Sequence, residues 1–248
     1  MKNKFFILVL VFLSLNSQAT YDLHAGAGFR SYALGAAARI EGGANQELWR
    51  HNDQIYGFLR EAAYFTTSGT INTIGGKIEF FPISILGFVA GSEQVYRSSK
   101  ELDTFDCDVQ VCDSDGTRSY LRVDSVLGYK KFVMINDYQR DYFDYDFKGE
   151  VANALHTLEI QSDDIVNIMR NIIAYQYSDK YTFGIIHFRT WSEKTKQDKT
   201  FVGFLNQFKK EKWTYDVVLG GNRDRFNRNH FSMLLQLKYD YKKGLRLF

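Results

Sequence analysis

The chain has 248 residues, with 31 Lys and Arg against 29 Asp and Glu, a formal net charge of +2. That balance argues against a nucleic-acid binder, which shows a basic excess or patch. Hydrophobic residues make up 45% of the chain, aromatics 16%, and there is one Pro, which excludes a disordered chain and fits long regular elements.

The first segment is a leader. Lys2 and Lys4 form a positive n-region, Phe5 to Leu15 is an apolar run, and Ser17-Gln18-Ala19 is a small-x-small cleavage site. This is the pattern of a secretory signal peptide, and the run is too short to span a bilayer as a helix. The expected division is a leader over 1–19 and one domain over 20–248. No later run is long enough for a transmembrane helix.

Beyond the leader the period is two. Leu23, Ala25, Ala27 and Phe29 alternate with His24, Gly26, Gly28 and Arg30, and Ala36, Ala38 and Ile40 with Ala37, Arg39 and Glu41. Ile78 and Phe80 alternate with Lys77 and Glu79, and Leu121, Val123 and Leu127 with Arg122 and Asp124. Trp213, Tyr215, Val217 and Leu219 alternate with Lys212, Thr214, Asp216 and Val218. The last such segment runs from Phe231 to Lys242, with Met233, Leu235, Leu237, Tyr239 and Tyr241 on one face and Lys238 and Asp240 on the other. Successive strand side chains point to opposite faces, so each is a two-sided strand. Segments 54–66, 85–97, 130–140, 164–177, 180–193 and 199–209 have strand composition without readable facing. The expectation is twelve strands within a range of 10–14, at 22–32, 35–45, 54–66, 71–81, 85–97, 117–127, 130–140, 164–177, 180–193, 199–209, 212–222 and 229–242. From the fourth strand onward, short connections (82–84, 128–129, 178–179, 210–211) alternate with longer ones (98–116, 141–163, 194–198, 223–228). The first half obeys this less well, with a short link at 33–34 and a long one at 46–53.

An all-β, antiparallel up-and-down barrel in a membrane fits better than a soluble sandwich. The strands exceed the soluble mean of about 5–6 residues and reach the roughly 9–11 that a tilted membrane strand needs. The polar faces carry mid-strand charge pairs, Lys77 with Glu79, Arg122 with Asp124 and Lys238 with Asp240, which a hydrated lumen accepts. Tyr239, Tyr241, Trp191 and Trp213 crowd strand ends, as in interfacial girdles. On the leader, these alternating strands, the hairpin EFFPISILGFVAG (Glu79 to Gly91) and the terminal Phe248, the chain resembles bacterial outer-membrane β-barrel proteins along its whole length. The resemblance implies export to the bacterial outer membrane, contact with its lipid and with lipopolysaccharide, and recognition of Phe248 by the barrel-assembly machinery. It implies an architecture and a location, not an activity.

Cys107 and Cys112 lie in an acidic stretch of an exported chain, where a small-loop disulfide is expected. Asp103, Asp106, Asp108, Asp113 and Asp115 lack calcium-loop spacing and read as a solvated loop. The five histidines, His24, His51, His156, His187 and His230, form no metal pattern, and no cofactor is expected. His230 and Ser232 share a strand face, the minimum for an activated nucleophile. Outer-membrane phospholipases and lipid A deacylases carry a similar His-x-Ser, followed there by Asn and here by Met233. A rim protease would need groups such as His51, Asp53 and the acids of 141–146, and no spacing supports it. Glycines at 26–28, 42–43, 75–76 and 220–221 precede no phosphate-loop helix and read as bulges or close packing. Arg223, Arg225 and Arg228 share a loop side suited to lipopolysaccharide phosphates.

The expected functional feature is the lumen, lined by Arg30, Arg39, Glu41, Lys77, Glu79, Arg122, Asp124, Lys212, Asp216, Lys238 and Asp240. Six are basic and five acidic. Two readings compete: a narrow passive channel for small polar solutes, and a barrel closed by charge pairing that serves structure or surface contact. A lipid hydrolase using His230 and Ser232 is a distant third, so the chain reads as no enzyme. The loop 141–163, with DYFDYDF and VANALHTLEI, folds into the mouth, meets a partner, or is an ordinary exposed loop. The sequence leaves the solute and the oligomeric state open.

Overall fold

The structure is a computed structural model that describes residues 19–32, 34–52, 54–97, 107, 111–112, 114–147, 149–153 and 157–242. Residues 1–18, Asp53, Asp103, Asp106, Asp108, Asp113, His156 and Phe248 lie outside these residues.

Twelve antiparallel strands close into one barrel. In chain order they are β1 (Thr20–Ser31), β2 (Leu34–Arg50), β3 (Tyr56–Thr67), β4 (Ile71–Ile83), β5 (Leu86–Arg97), β6 (Gly116–Tyr129), β7 (Phe132–Tyr145), β10 (Ile165–Gln176), β11 (Tyr181–Ser192), β12 (Asp198–Lys210), β13 (Trp213–Arg223) and β14 (Asn229–Lys242). The order round the wall is the chain order, and β1 pairs with β14 to close it. Two further strands, β8 (Glu150–Asn153) and β9 (Leu158–Gln161), form a separate hairpin between β7 and β10. No helix occurs among the described residues.

All twelve expected strands are present. The irregular first half resolves because β2 runs to Arg50, so its link to β3 spans only 51–55. Long connections (98–115, 146–164, 193–197, 224–228) gather at one end, called here the loop end. Short turns gather at the other, the turn end. The two-residue turns Lys130-Lys131 and Glu211-Lys212 each place their first residue at positive φ (54° and 53°), as tight hairpins of native twist require.

Period two decides the two surfaces. Leu23, Phe29, Ile40, Phe65, Ile78, Phe88, Leu121, Ile173, Ile185, Phe204, Leu219, Phe231 and Leu235 are exposed on the outside. Glu41, Arg60, Glu79, Glu93, Asp124, Asp137 and Asp141 are buried on the inside. This inverts a soluble protein, as an apolar solvent outside demands. A ring of Tyr129, Phe132, Tyr175, Tyr181, Trp213, Tyr215 and Tyr241 marks the turn end. Large inner side chains lie across small residues of the next strand. A Cβ on Gly43 would stand 2.8 Å from Arg60 Nη2, and one on Gly91 would enter the Tyr120 ring.

Candidate functional site: a charged lumen and its filled mouth

The inner wall is built by β1 to β7 from charged side chains whose strands put them in neighbouring rows. Arg60, fully buried on β3, is its centre. Its Nε and Nη2 donate to the two oxygens of Asp22 on β1, at 2.8 and 2.7 Å. Its Nη1 donates to Glu41 Oε1 on β2 at 2.8 Å and lies 3.3 Å from Glu79 Oε2 on β4. Lys77 Nζ bridges Glu41, at 3.0 Å, and Glu79, at 2.5 Å. Arg39 holds the other Glu41 oxygen at 2.6 Å. Three cations thus meet three carboxylates, and His24 Nε2 stands 3.9 Å from Glu41.

A second group continues round the wall. The Arg39 guanidinium sits 3.8 Å from the Tyr64 ring centroid. Tyr64 donates to Glu93 at 2.8 Å and meets the Tyr120 hydroxyl at 3.3 Å. Arg118 links Glu93, at 3.0 Å, to Asp141, at 3.5 Å. A third group pairs Arg122 with Asp124 at 2.8 Å and Arg170 with Asp137 at 2.6 Å.

The opposite wall, β11 to β14, mixes Gly184, Gly203 and Gly220 with larger inward residues, Ile186, Phe188, Phe201, Leu234 and Gln236, and the Phe201 ring lies over Gly203. There Gln207 donates to Asp216 at 2.9 Å. The ion pairs described above are thus gathered on the β1 to β10 side of the lumen.

The mouth at the loop end is occupied. Val151, Leu158 and Ile160 of the β8–β9 hairpin have no exposure and pack on Phe143, Tyr145, Val166 and Ile168 of β7 and β10, with Phe188 of β11 against them. Those wall residues face inward, so the hairpin folds into the barrel. It is tied on several sides. Arg225 pairs with Glu159 at 3.0 Å, Gln197 donates to Glu159 Oε2 at 2.7 Å, and Thr195 donates to the Glu159 carbonyl at 2.8 Å. Lys199 donates to Thr157. Ala152 N–H donates to the Val111 carbonyl at 3.0 Å, next to the Cys107–Cys112 disulfide.

Sequence-selected residues fall into several groups. Arg39, Glu41, Lys77 and Glu79 meet in one network; Arg122 and Asp124 form a pair. Asp216 binds Gln207. Arg30, Lys238 and Asp240 are on inward positions of β1 and β14, in register with Leu234, Gly26 and His24. Lys212 is not on a strand: it lies in the β12–β13 turn and donates to the Tyr241 carbonyl at 3.1 Å. Asp22, Arg60, Glu93, Arg118, Asp137, Asp141 and Arg170 were missed. Most lie on strands whose two faces match in composition: Phe58, Arg60, Ala62 and Tyr64 alternate with Leu59, Glu61, Ala63 and Phe65.

His230 and Ser232 face the lumen but do not bond each other. Ser232 donates to the Tyr32 carbonyl at 3.0 Å, while His230 Nε2 meets Asp224 Oδ2 at 3.0 Å and its ring stacks on Tyr32 at 3.8 Å. Tyr32 also donates to Asp224 at 3.0 Å. The cluster closes the β1–β14 seam; it activates no nucleophile. Burial alone would raise the Asp224 carboxyl. The backbone N–H groups of Arg228 and Phe226, with His230 and Tyr32, outweigh it and hold the carboxyl well below the usual range. Arg228 pairs with Asp224 at 3.0 Å and Arg225 with Glu159, so two of the three arginines chosen for phosphates already hold carboxylates.

Comparison of structures then decides the architecture. The chain superposes on an outer-membrane channel from Pseudomonas putida F1 with a TM-score of 0.52, over 92% of its own length and 97% of that chain. The fold is that of the bacterial outer-membrane β-barrels. The NanC porin gives a TM-score of 0.50 over 89% of this chain and 100% of that one. Sequence identity is 10% and 13%, so the likeness is one of fold. No protein-family model matches the chain, and no curated protein matches it in sequence. In this fold the long loops face outward from the cell and the short turns face the periplasm.

Proposed function

We propose that the chain resides in the bacterial outer membrane, exported by its leader, and passes small polar solutes through a narrow lumen. The observation that carries this reading is the charged inner wall, where Arg39, Arg60 and Lys77 meet Asp22, Glu41 and Glu79 inside a barrel whose outside is apolar. Buried ions in a dry interior cost several kcal/mol each, about what a hydrated lumen spares them. The balance of signs gives weak charge selectivity. The β8–β9 hairpin sets the narrowest point at the mouth.

The test is single-channel conductance of the refolded mature chain in a planar bilayer. Small, discrete, weakly selective steps support the reading, and removal of residues 150–161 should enlarge them. A folded barrel that stays silent in both forms overturns it.

One observation favours a second reading, a closed barrel with a structural or surface role. The hairpin is packed as a core is packed, with Val151, Leu158 and Ile160 fully buried. Silence of the intact chain together with conduction by the hairpin deletion would identify this state.

A further inference from the structure

The outside of the barrel carries a feature that its apolar surroundings do not explain. Ser125, Asn136, Asn171 and His187 form one unbroken cross-strand row over β6, β7, β10 and β11. They share the outer face with the row below them, Leu127, Met134, Ile173 and Ile185, which is 39–60% exposed. Counted along the strands from the Phe132 and Tyr175 girdle, Asn136 and Asn171 stand roughly 10 Å up, near the middle of an apolar band about 25 Å tall. On β14 that band is unbroken from Tyr241 to Phe231. Here it is interrupted at half height.

The row satisfies itself only in part. Asn136 Nδ2 donates to Ser125 Oγ at 3.4 Å, and Asn171 Nδ2 meets His187 Nδ1 at 3.3 Å. The side-chain oxygens of Asn136 and Asn171 and the Nε2 of His187 have no partner among the described residues. Facing hydrocarbon, each such group costs several kcal/mol. Further rows toward the loop end are charged. Arg140 holds Glu193 at 2.9 Å, Asn167 donates to the same carboxylate at 3.1 Å, and Arg189 holds Asp198 at 3.1 Å.

We propose that this face of β6, β7, β10 and β11 docks a second copy of the chain. Complementarity of charge selects that occupant. The patch has two cations, two carboxylates and amides that both donate and accept, so it is neutral and matches itself. A two-fold axis through the Asn136–Asn171 pair brings each unsatisfied carbonyl against a donor of the other copy, an isologous contact. A face made for lipid phosphates would be basic. Four strands at about 4.8 Å spacing over a band about 25 Å tall give on the order of 500 Å² per copy. That reaches the roughly 1,000 Å² in total that a specific interface needs. The inference rests on the barrel lying in a bilayer and not on whether it conducts.

The experiment uses the full chain in the outer membrane. The two native cysteines are joined, so single cysteines can be added at Asn136→Cys and Asn171→Cys, with Ile40→Cys on the opposite wall as control. Oxidation should link two chains at one or both row positions and none at Ile40. Monomers at both row positions, dimers at Ile40 to the same extent, or a link to a different protein would overturn the proposal. As a second readout, the variant Asn136→Leu/Asn171→Leu/His187→Leu should keep the heat-modifiable gel shift of a folded barrel and fall from two chains to one in detergent. A folded triple variant that stays paired also overturns it. Loss of the gel shift in the unaltered chain would instead strike the membrane-barrel reading.

Discussion

Arg60 on β3 reaches across β2 to grip Asp22 on β1 with two bonds, at 2.8 and 2.7 Å. The strand between them carries Gly43, whose missing side chain leaves the guanidinium its path. A charge, its partner and a gap are thus placed by three different strands.

Breaking this grip leaves Asp22 buried without the guanidinium that holds both its oxygens, while Glu41 keeps Arg39 and Lys77. Removing one partner of a buried pair costs about 3–5 kcal/mol. Arg60→Met should therefore lower the urea midpoint of the folded barrel sharply. Gly43→Val should do much the same without touching a charge, because its Cβ would stand 2.8 Å from Arg60 Nη2. If both variants unfold like the parent chain, the network does not hold the wall together.

The β8–β9 hairpin should behave as a small core docked in a larger structure. Truncating a fully buried aliphatic residue costs about 2–5 kcal/mol. Ile160→Ala should release the hairpin while the twelve strands persist. Expected readouts are faster proteolysis within 146–164, an unchanged heat-modifiable shift and larger or noisier current. Unchanged proteolysis would mean that the ties from Arg225, Gln197 and Thr195 suffice alone.

The seam between β1 and β14 should respond to acid. Asp224 in the folded chain titrates well below the roughly 3.9 of an unfolded Asp. A depressed carboxyl contributes stability that is present above the unfolded value and lost as pH falls through the folded one. The 224–228 loop should therefore stay protected from hydrogen exchange at pH 5–7 and lose that protection progressively as pH falls below about 4. Asp224→Asn should abolish that dependence and leave the loop less protected at neutral pH.

Selectivity and stability should separate by wall. Glu79 and Lys77 belong to the buried network, so neutralising either should weaken the fold more than it shifts ion preference. Asp216 lies on the β11 to β14 wall, outside the Arg60 network, where it accepts from Gln207 and has Lys209 and Lys238 near it. Asp216→Asn should leave the urea midpoint nearly unchanged and shift reversal potentials toward anions. A larger selectivity change from Lys77→Met than from Asp216→Asn would place the path along the other wall.

Where one strand face is apolar and the other polar, the period of two is plain, and β1, β14 and most of β13 could be faced from sequence alone. Facing could not be read over 130–140, 164–177 and 180–193, and the structure shows the cause. These strands carry Asn136, Asn171 and His187 on the outside and Ile135, Ile172 and Ile186 on the inside, so each face mixes both kinds of residue. The same ambiguity hid Arg60.

By itself the sequence pointed to about twelve strands, their alternating direction and, on strands with unlike faces such as β1 and β14, which face is apolar, because these follow from local periodicity and connection length. It also marked Cys107 and Cys112 as neighbours close enough to join. Only the tertiary structure decided which charges meet. Asp22, Glu41, Arg60 and Glu79 stand on four strands, and a register shift of one residue would turn any of them to the lipid. Only closure of the barrel placed Val151, Leu158 and Ile160 in the mouth, since these buried side chains need walls that β7, β10 and β11 supply together. Local patterns report which way a side chain points; what it meets depends on strands far apart in the chain.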